Sequence, residues 1–118
     1  MPTAWITLSE GLSDPDDDVK QCLRDIVAMN LTCKARHLDR NHIVLRYSKG
    51  SRASMLADIE IEVNAQFYFR RHLNRDARAE AISRSTSVLF GVSCATWINL
   101  MIVGYARVMP DGRSYFSD

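Results

Sequence analysis

In the first half of the chain, the hydrophobic and polar positions predict a strand, a helix and a second strand. TAWITL at residues 3–8 is rich in residue types that favour β-structure, and HIVLRYS at 42–48 has the same character. Between them, Ser13 or Asp14 can cap a helix that has Pro15 at its first position. The apolar residues of this helix recur with the spacing of one helix face: Val19, Cys22, Leu23, Ile26 and Val27.

The second half repeats this order of elements. DIEIEVN at residues 58–64 alternates strictly between apolar and polar residues, and WINLMIV at 97–103 predicts a last, nearly all-apolar strand. Asn74 can cap the intervening helix, which runs to about Phe90 and is followed by Gly91, a typical helix-ending residue. We expect the buried stripe of this helix to include Ala77, Ala81, Ile82, Val88 and Leu89.

Two β-α-β units in succession predict an α+β fold in a single domain of residues 1–118. The pseudo-repeats lie at about 2–50 and 57–108. Right-handed crossovers within the units would place both helices on one face of a four-stranded mixed sheet.

The opposite face of such a sheet is bare unless another molecule covers it. Trp5, Leu45 and Leu100 are apolar residues available for this face, and the last strand is apolar enough to be covered on both sides. Exposed apolar surfaces of this size usually mark an interface, so we expect a homo-oligomer.

Composition and charge exclude several partners. The net charge is +1, from 15 basic and 14 acidic residues, and no basic run exceeds two residues, so neither nucleic acid nor an anionic membrane is predicted as a partner. The first residues lack the pattern of a signal peptide, and the apolar run near the end is too short to span a bilayer. Cys22, Cys33 and Cys94 form no CxxC pair, so we expect reduced, mostly buried thiols in a cytoplasmic protein.

The opening PTAWITLSEGLSD resembles the start of 4-oxalocrotonate tautomerase, where an N-terminal proline begins a strand. RAEAISRS at 78–85 is a weaker similarity, and the doubled β-α-β plan resembles the double-length members of the tautomerase superfamily. The resemblance implies a trimer with active sites between subunits, a catalytic proline, and no metal or other cofactor.

In this interpretation, Pro2 carries the chemistry once Met1 has been removed. A free α-amino group has an ordinary pKa near 8, and apolar burial or nearby arginine cations lower the pKa of such a group. A neutral ring amine can act as a general base near pH 7. The resemblance implies a small 2-oxo or enol carboxylic acid as substrate, with its carboxylate bound by arginines.

The arginines available for that carboxylate are Arg70, Arg71 and Arg75 in FYFRRHLNR, just before the second helix. Leu12 stands where the tautomerase opening has an arginine, so one expected carboxylate contact is missing from the first half. Lys34 and His37 lie in the loop after the first helix, where relatives often have a polar active-site residue, although solvated loop charges are the simpler interpretation.

Two further groups of residues have alternative explanations. Tyr105 either lines a substrate pocket or packs in the core, and core packing is favoured for Trp97. His37, Asp39 and His42 could suggest a metal site, but no HExxH or Cys/His spacing supports one.

Three functions therefore remain open. The first is a tautomerase, and the second is a dehalogenase, hydratase or decarboxylase that uses the same Pro2. The third is a non-catalytic oligomeric binding protein, which Leu12 and a retained Met1 would favour, whereas EGLSD and the arginine cluster favour an enzyme.

Overall fold

The four predicted strands and two predicted helices occur in the predicted order in a computed structural model, which describes residues 2–33, 36–66, 74–101, 106–108 and 114–116. Two short strands that were not predicted follow them. In chain order, the elements are β1 (Thr3–Ser9), α1 (Asp17–Leu31), β2 (Val44–Gly50), β3 (Ile59–Gln66), α2 (Arg75–Phe90), β4 (Cys94–Met101), β5 (Ala106–Val108) and β6 (Ser114–Phe116).

The main sheet has four strands in the order β2-β1-β3-β4. β1 runs parallel to β2 and antiparallel to β3, and β4 runs parallel to β3. Ile6 is opposite both Tyr47 and Ile61, and Val63 is opposite Ile98. The sheet is therefore mixed, and the predicted α+β fold class is confirmed. β5 and β6 form a separate antiparallel pair.

Both helices pack on one face of the main sheet, as predicted. Alternate residues of a strand point to the same face, and the inward set of β1 and β3 is completely apolar. The core joins these strand residues to the inner sides of α1 and α2: Ala4, Ile6, Leu8, Leu23, Val27, Leu31, Ile59, Ile61, Val63, Ile82 and Ile98. Burial of each large apolar side chain contributes about 1.5–3 kcal/mol to folding.

α1 begins later than predicted. Its N-cap is Asp16, whose carboxylate accepts a hydrogen bond from the backbone N–H of Val19 at 2.9 Å. The Asp14 carboxylate instead lies 3.2 Å from the Lys49 ammonium of β2, and Pro15 precedes the cap. The prediction of a Ser13 or Asp14 cap was therefore wrong.

α2 has the predicted bounds, but its buried stripe differs. Val88 is 81% exposed, whereas Ile82 and Thr86 are fully buried and Ala79 and Phe90 pack against the core. These four follow one helix face at intervals of three and four residues, while the predicted set combined residues from two faces. Asn74 occupies the N-cap position without a side-chain capping bond, and Gly91 ends the helix at φ +72°.

The other face of the sheet, which we call the open face, exposes apolar side chains among the described residues. Trp5 and Trp97 are 50% and 43% exposed there, and Glu62 lies between them in the strand register. Leu45 and Leu100, expected on this face, pack against the helix-side core, because they are paired with inward-facing residues of β1 and β3. In the described part of the chain, β4 is not covered on both faces, because Trp97 is 43% exposed.

In the described part of the chain, no helix is long and apolar enough to cross a membrane: α1 has 15 residues and α2 has 16.

Candidate functional site

Pro2 lies directly before β1 and is buried in the folded chain. Its carbonyl accepts a hydrogen bond from the backbone N–H of Val44 at 3.0 Å, which fixes it to the start of β2. Thr3 pairs with Asn64 of β3, so the same register continued by one residue brings Pro2 beside Ala65.

We call this edge the Pro2 end of the sheet: β1 and β2 begin here, and β3 and β4 finish here. Because α1 leads into β2 and α2 follows β3, the last turn of α1 and the first turn of α2 also lie at this end. The topology therefore gathers the described candidate residues of both halves, Pro2, His37 and Arg75, at one end of the sheet.

His37 is exposed in the loop between α1 and β2 at the Pro2 end. It lines a cleft of about 520 Å³ together with Met29, Leu38 and Arg40. Asp25 of α1, also in this cleft, accepts two hydrogen bonds from the Arg40 guanidinium, at 2.9 Å from Nε and 2.5 Å from Nη2. These bonds lower the pKa of the Asp25 carboxyl below its ordinary value. The cleft thus combines an apolar floor with a charged rim.

The loop that carries His37 is held by short polar contacts. The Thr32 hydroxyl donates to the Ala28 carbonyl at 2.9 Å and accepts from the Leu38 N–H at 3.1 Å. Farther along, His42 Nδ1 accepts from the Asp39 N–H at 3.0 Å in a capping box around a short 3-10 turn.

This capping box explains why Asp39 and His42 are close together without a metal. The Asp39 carboxylate also accepts from the Asn41 N–H at 2.9 Å, so both side chains serve the backbone of the turn. Within the described ranges, no three His, Cys, Asp or Glu side chains are grouped as metal ligands.

Arg75 is the first residue of α2, and its side chain is exposed at the Pro2 end. It lines a second cleft, of about 300 Å³, with Thr96, Trp97 and Asn99 of β4. In the single chain, His37 and Arg75 therefore belong to different clefts, one on the β2 side of the sheet and one on the β4 side.

Four of the predicted site residues, together with Met1, lie outside the described residues: Lys34, Arg70, Arg71 and Tyr105. Leu12, which replaces an expected arginine, packs against the core.

Sequence reasoning missed Arg78 in the first turns of α2. Its Nη1 donates to the carbonyls of Asn30 and Thr32 at the end of α1, both at 2.8 Å. The sequence offered little signal for this contact: a cation near the start of a helix opposes the helix dipole, but Arg75 shares that feature and is exposed.

The cysteines differ in environment. Cys22 is exposed, contrary to the expectation of mostly buried thiols, while Cys33 and Cys94 are half-buried, and all three are free thiols. Burial raises the pKa of the Cys94 thiol, although hydroxyl groups of Thr96, Ser83 and Thr86 oppose the shift. Cys94 is therefore held in its protonated, unreactive form at neutral pH.

A third cleft, of about 290 Å³, lies at the opposite end of the sheet. The Lys20 ammonium stands 5.5 Å from the ring centroid of Tyr47, and Lys49 closes the cleft through its contact with Asp14. Burial raises the pKa of the Tyr47 hydroxyl. This cleft is far from Pro2 and adds nothing to the candidate site.

No protein-family model matches the sequence, and no curated protein is a significant match. Solved structures do match. One is a protein inactivated by 2-oxo-3-pentynoate, with a TM-score of 0.60 and 16% identity over 95% of each chain. A fused 4-OT solved as a symmetric trimer has a TM-score of 0.57 and 10% identity over 95% of this chain and 94% of that one. Malonate semialdehyde decarboxylase has a TM-score of 0.55 and 10% identity over 85% of this chain and 84% of that one. The chain therefore shares the fold of tautomerase-superfamily proteins, as the resemblance implied.

Proposed function

We propose that this protein is a cofactor-free cytoplasmic enzyme of the tautomerase type, in which Pro2 moves a proton on a small 2-oxo or enol carboxylic acid. The observation that carries the proposal is a buried proline directly before β1 in a fold shared with tautomerase-superfamily proteins. The proposal requires removal of Met1, because an amide nitrogen has no basicity.

The position of Pro2 suits a general base. Its ring restricts the backbone and its carbonyl is bonded to Val44, so a free amine here would be held more rigidly than the end of a lysine side chain. In the keto-to-enol direction, the amine takes a proton from the carbon next to the carbonyl. The C–H electron pair forms the new C=C bond, and the C=O π electrons move to the oxygen. The protonated Pro2 amine then gives the same proton to that oxygen, which returns the amine to its neutral form.

Cations bind and orient the substrate in this proposal. Arg75 of the β4-side cleft, with Arg70 and Arg71 preceding it in sequence, supplies guanidinium groups that can hold a carboxylate through paired hydrogen bonds. The same charges stabilise negative charge that develops on the enolate oxygen. Lys34, His37 and Tyr105 complete the proposed binding residues.

The active unit in this proposal is a homo-oligomer, and specifically a trimer. The open sheet face exposes two tryptophans, and one of the matched structures is a symmetric trimer. In the proposed trimer, the β2-side cleft of one subunit faces a neighbouring subunit, so that His37 and Arg75 from different copies can contact one substrate.

Two alternatives keep specific support. A decarboxylase or hydratase using Pro2 is favoured by the match to malonate semialdehyde decarboxylase, whose structure was used to explain decarboxylase and hydratase activities, and a dehalogenase belongs to the same chemical group. A non-catalytic oligomeric binding protein is favoured by Leu12. This residue packs against the core, whereas the resemblance implies a substrate-binding arginine at its position.

The test begins with the intact mass of the purified protein, which must show loss of one methionine. The protein is then treated with 2-oxo-3-pentynoate, whose conjugated alkyne accepts an amine: one N–C bond forms and the amine proton passes to carbon. We expect one equivalent of the intact reagent on the N-terminal peptide. Peptide mapping is needed because the exposed thiol of Cys22 is a second nucleophile.

Catalysis is tested by enolpyruvate turnover in Pro2→Ala, with Pro15→Ala as the matched proline control outside the site. General-base catalysis typically contributes a factor of about 100 to 10,000, so Pro2→Ala should lose at least that lower factor while Pro15→Ala keeps its rate. Equal rates in wild type and Pro2→Ala would refute the role of Pro2. Loss of decarboxylation or hydration instead of ketonisation would select the second function, and no turnover with a retained Met1 would select the binding protein.

A further inference from the structure

Arg78 links the two helices at the Pro2 end. It lies one turn into α2 and is half-buried, and its Nη1 donates hydrogen bonds of 2.8 Å to two carbonyls at the end of α1. These acceptors, on Asn30 and Thr32, belong to the group of carbonyls that a helix leaves without intrahelical partners.

Arg78, a residue of α2, supplies the cation that binds these carbonyls of α1. α1 has no basic residue in its own last turn, where a cation would complement the negative end of its dipole. Arg78, by contrast, sits near the positive end of α2, where a cation is unfavourable. Its Nε is buried without a hydrogen-bond partner in the part of the chain that the structure describes. The hydrogen bonds to α1 compensate for the unfavourable interaction of Arg78 with the dipole of α2 and for the burial of its Nε.

The contact extends to the loop of His37. Thr32, whose carbonyl is bound by Arg78, uses its hydroxyl to accept the Leu38 N–H at 3.1 Å, and Leu38 is buried beside His37 in sequence. Arg78 is also three residues from Arg75, on the same helix. Arg78 is thus connected to the β2-side cleft through its hydrogen bond to Thr32, and to the β4-side cleft through one turn of α2.

We infer that Arg78 is a positioning residue that fixes the His37 loop relative to the first turn of α2. The inference deepens the proposed function and rests on it: Arg78 fixes where each subunit presents its His37 and its Arg75 to the substrate sites that the proposed trimer forms between subunits. It touches no substrate itself, and its effect is transmitted through Thr32 and Leu38.

The test compares Arg78→Met and Arg78→Lys with Arg84→Met as the control. Arg84 is an exposed arginine of the same helix, and it is paired with Glu80 on the surface. Met preserves the aliphatic stem of Arg78 but removes both hydrogen bonds, whereas Lys retains a cation that can reach at least one carbonyl.

The first measurement is amide hydrogen exchange in the protein without substrate. We expect the Leu38 N–H in Arg78→Met to exchange at least about tenfold faster than in wild type, because local opening of the loop no longer breaks charge-assisted bonds. Buried amides of β1 should keep their relative protection. Arg78→Lys should restore part of the Leu38 protection, and Arg84→Met should match wild type.

The second measurement is steady-state turnover. A positioning role predicts a rise in KM of at least about tenfold in Arg78→Met with a smaller change in kcat, and partial recovery in Arg78→Lys. If Leu38 protection and KM are both unchanged in Arg78→Met, the inference is wrong. Faster exchange with unchanged KM and kcat would also overturn it, since the contact would then serve stability alone.

The outcome stays separate from that of Pro2. If Pro2→Ala is as active as wild type, the proposed chemistry fails, while Leu38 exchange still decides whether Arg78 fixes the loop. If Arg78→Met does not fold, Arg78→Lys is compared with wild type in the same two measurements. A lower free energy of unfolding in Arg78→Lys with wild-type KM and wild-type Leu38 protection would count against the positioning role.

Discussion

The open face of the sheet yields the most direct prediction about assembly, through Trp5→Thr. Trp5 lies at the centre of this face, opposite Arg46 of β2 and Glu62 of β3, and half of its surface is exposed. Threonine favours β-structure, and Thr3 and Thr7 of β1 already lie on the same face of the sheet as Trp5. The substitution should therefore leave the subunit folded and change mainly what the face can bury.

The magnitude follows from the exposed area. A tryptophan buries about 200 Å² in a complete interface, so the exposed half of Trp5 represents about 100 Å². At about 25 cal/mol per Å², covering it contributes about 2.5 kcal/mol for each subunit. Losing that contribution should weaken the association constant of each subunit contact by a factor of about 70.

Sedimentation velocity over a concentration series measures this shift. Wild type should sediment as an oligomer at concentrations where Trp5→Thr dissociates, and Trp5→Phe should lie between them. Val88→Thr is the matched control, because Val88 is 81% exposed but lies on α2, away from the open face. If Trp5→Thr associates as tightly as wild type, or if Val88→Thr weakens assembly equally, the open face is not the interface. A monomeric wild type would refute the proposed trimer itself.

Two further predictions concern Gly91 at the end of α2 and the ion pair between Asp25 and Arg40. Gly91→Ala should lower the free energy of unfolding by about 1 kcal/mol in urea titrations, because φ is +72° at this position. Steric overlap is not the cause, since the added Cβ would meet nothing within 4 Å in the described structure. Gly91→Asn should lose less stability, and an unchanged free energy of unfolding in Gly91→Ala would contradict the backbone explanation. Arg40→Met should raise the pKa of Asp25 in a carboxyl NMR titration, because the Arg40 hydrogen bonds are the main cause of its lowered pKa. Since that pKa is depressed in the folded state, the stabilisation by the pair is present above the ordinary Asp pKa of about 3.9 and is lost as pH falls through the lower folded value. The loss of stability at neutral pH should be small, because both side chains are about half exposed, and an unshifted Asp25 titration would rule out this assignment.

Prediction from the sequence succeeded where local periodicity and burial coincide. The alternation in DIEIEVN identified β3, because every apolar residue of that segment is buried on one face. Gly91 marked the end of α2 because its left-handed conformation is a local requirement. The prediction of the α1 cap was wrong because three acidic or hydroxyl residues compete locally for this role. Asp14 contacts Lys49 of β2 instead.

The candidate site was less accessible to sequence reasoning. Pro2 became a candidate through its place before a strand together with the resemblance, and Arg75 through the arginines that the resemblance implies just before the second helix. Nothing local indicates that Arg78 would bond to carbonyls almost fifty residues earlier in the chain, at Asn30 and Thr32.

The sequence by itself determined the order of elements, the two β-α-β units and the inward faces of β1 and β3, because these depend on the spacing of apolar residues along short segments. Only the tertiary structure decided which side of the sheet received Leu45 and Leu100, which face of α2 was buried, and that His37 and Arg75 lie in separate clefts of one chain. The physical reason is that a strand's pairing register and a helix's rotation are set by contacts between segments distant in sequence, and a shift of one residue in register moves every side chain to the other face.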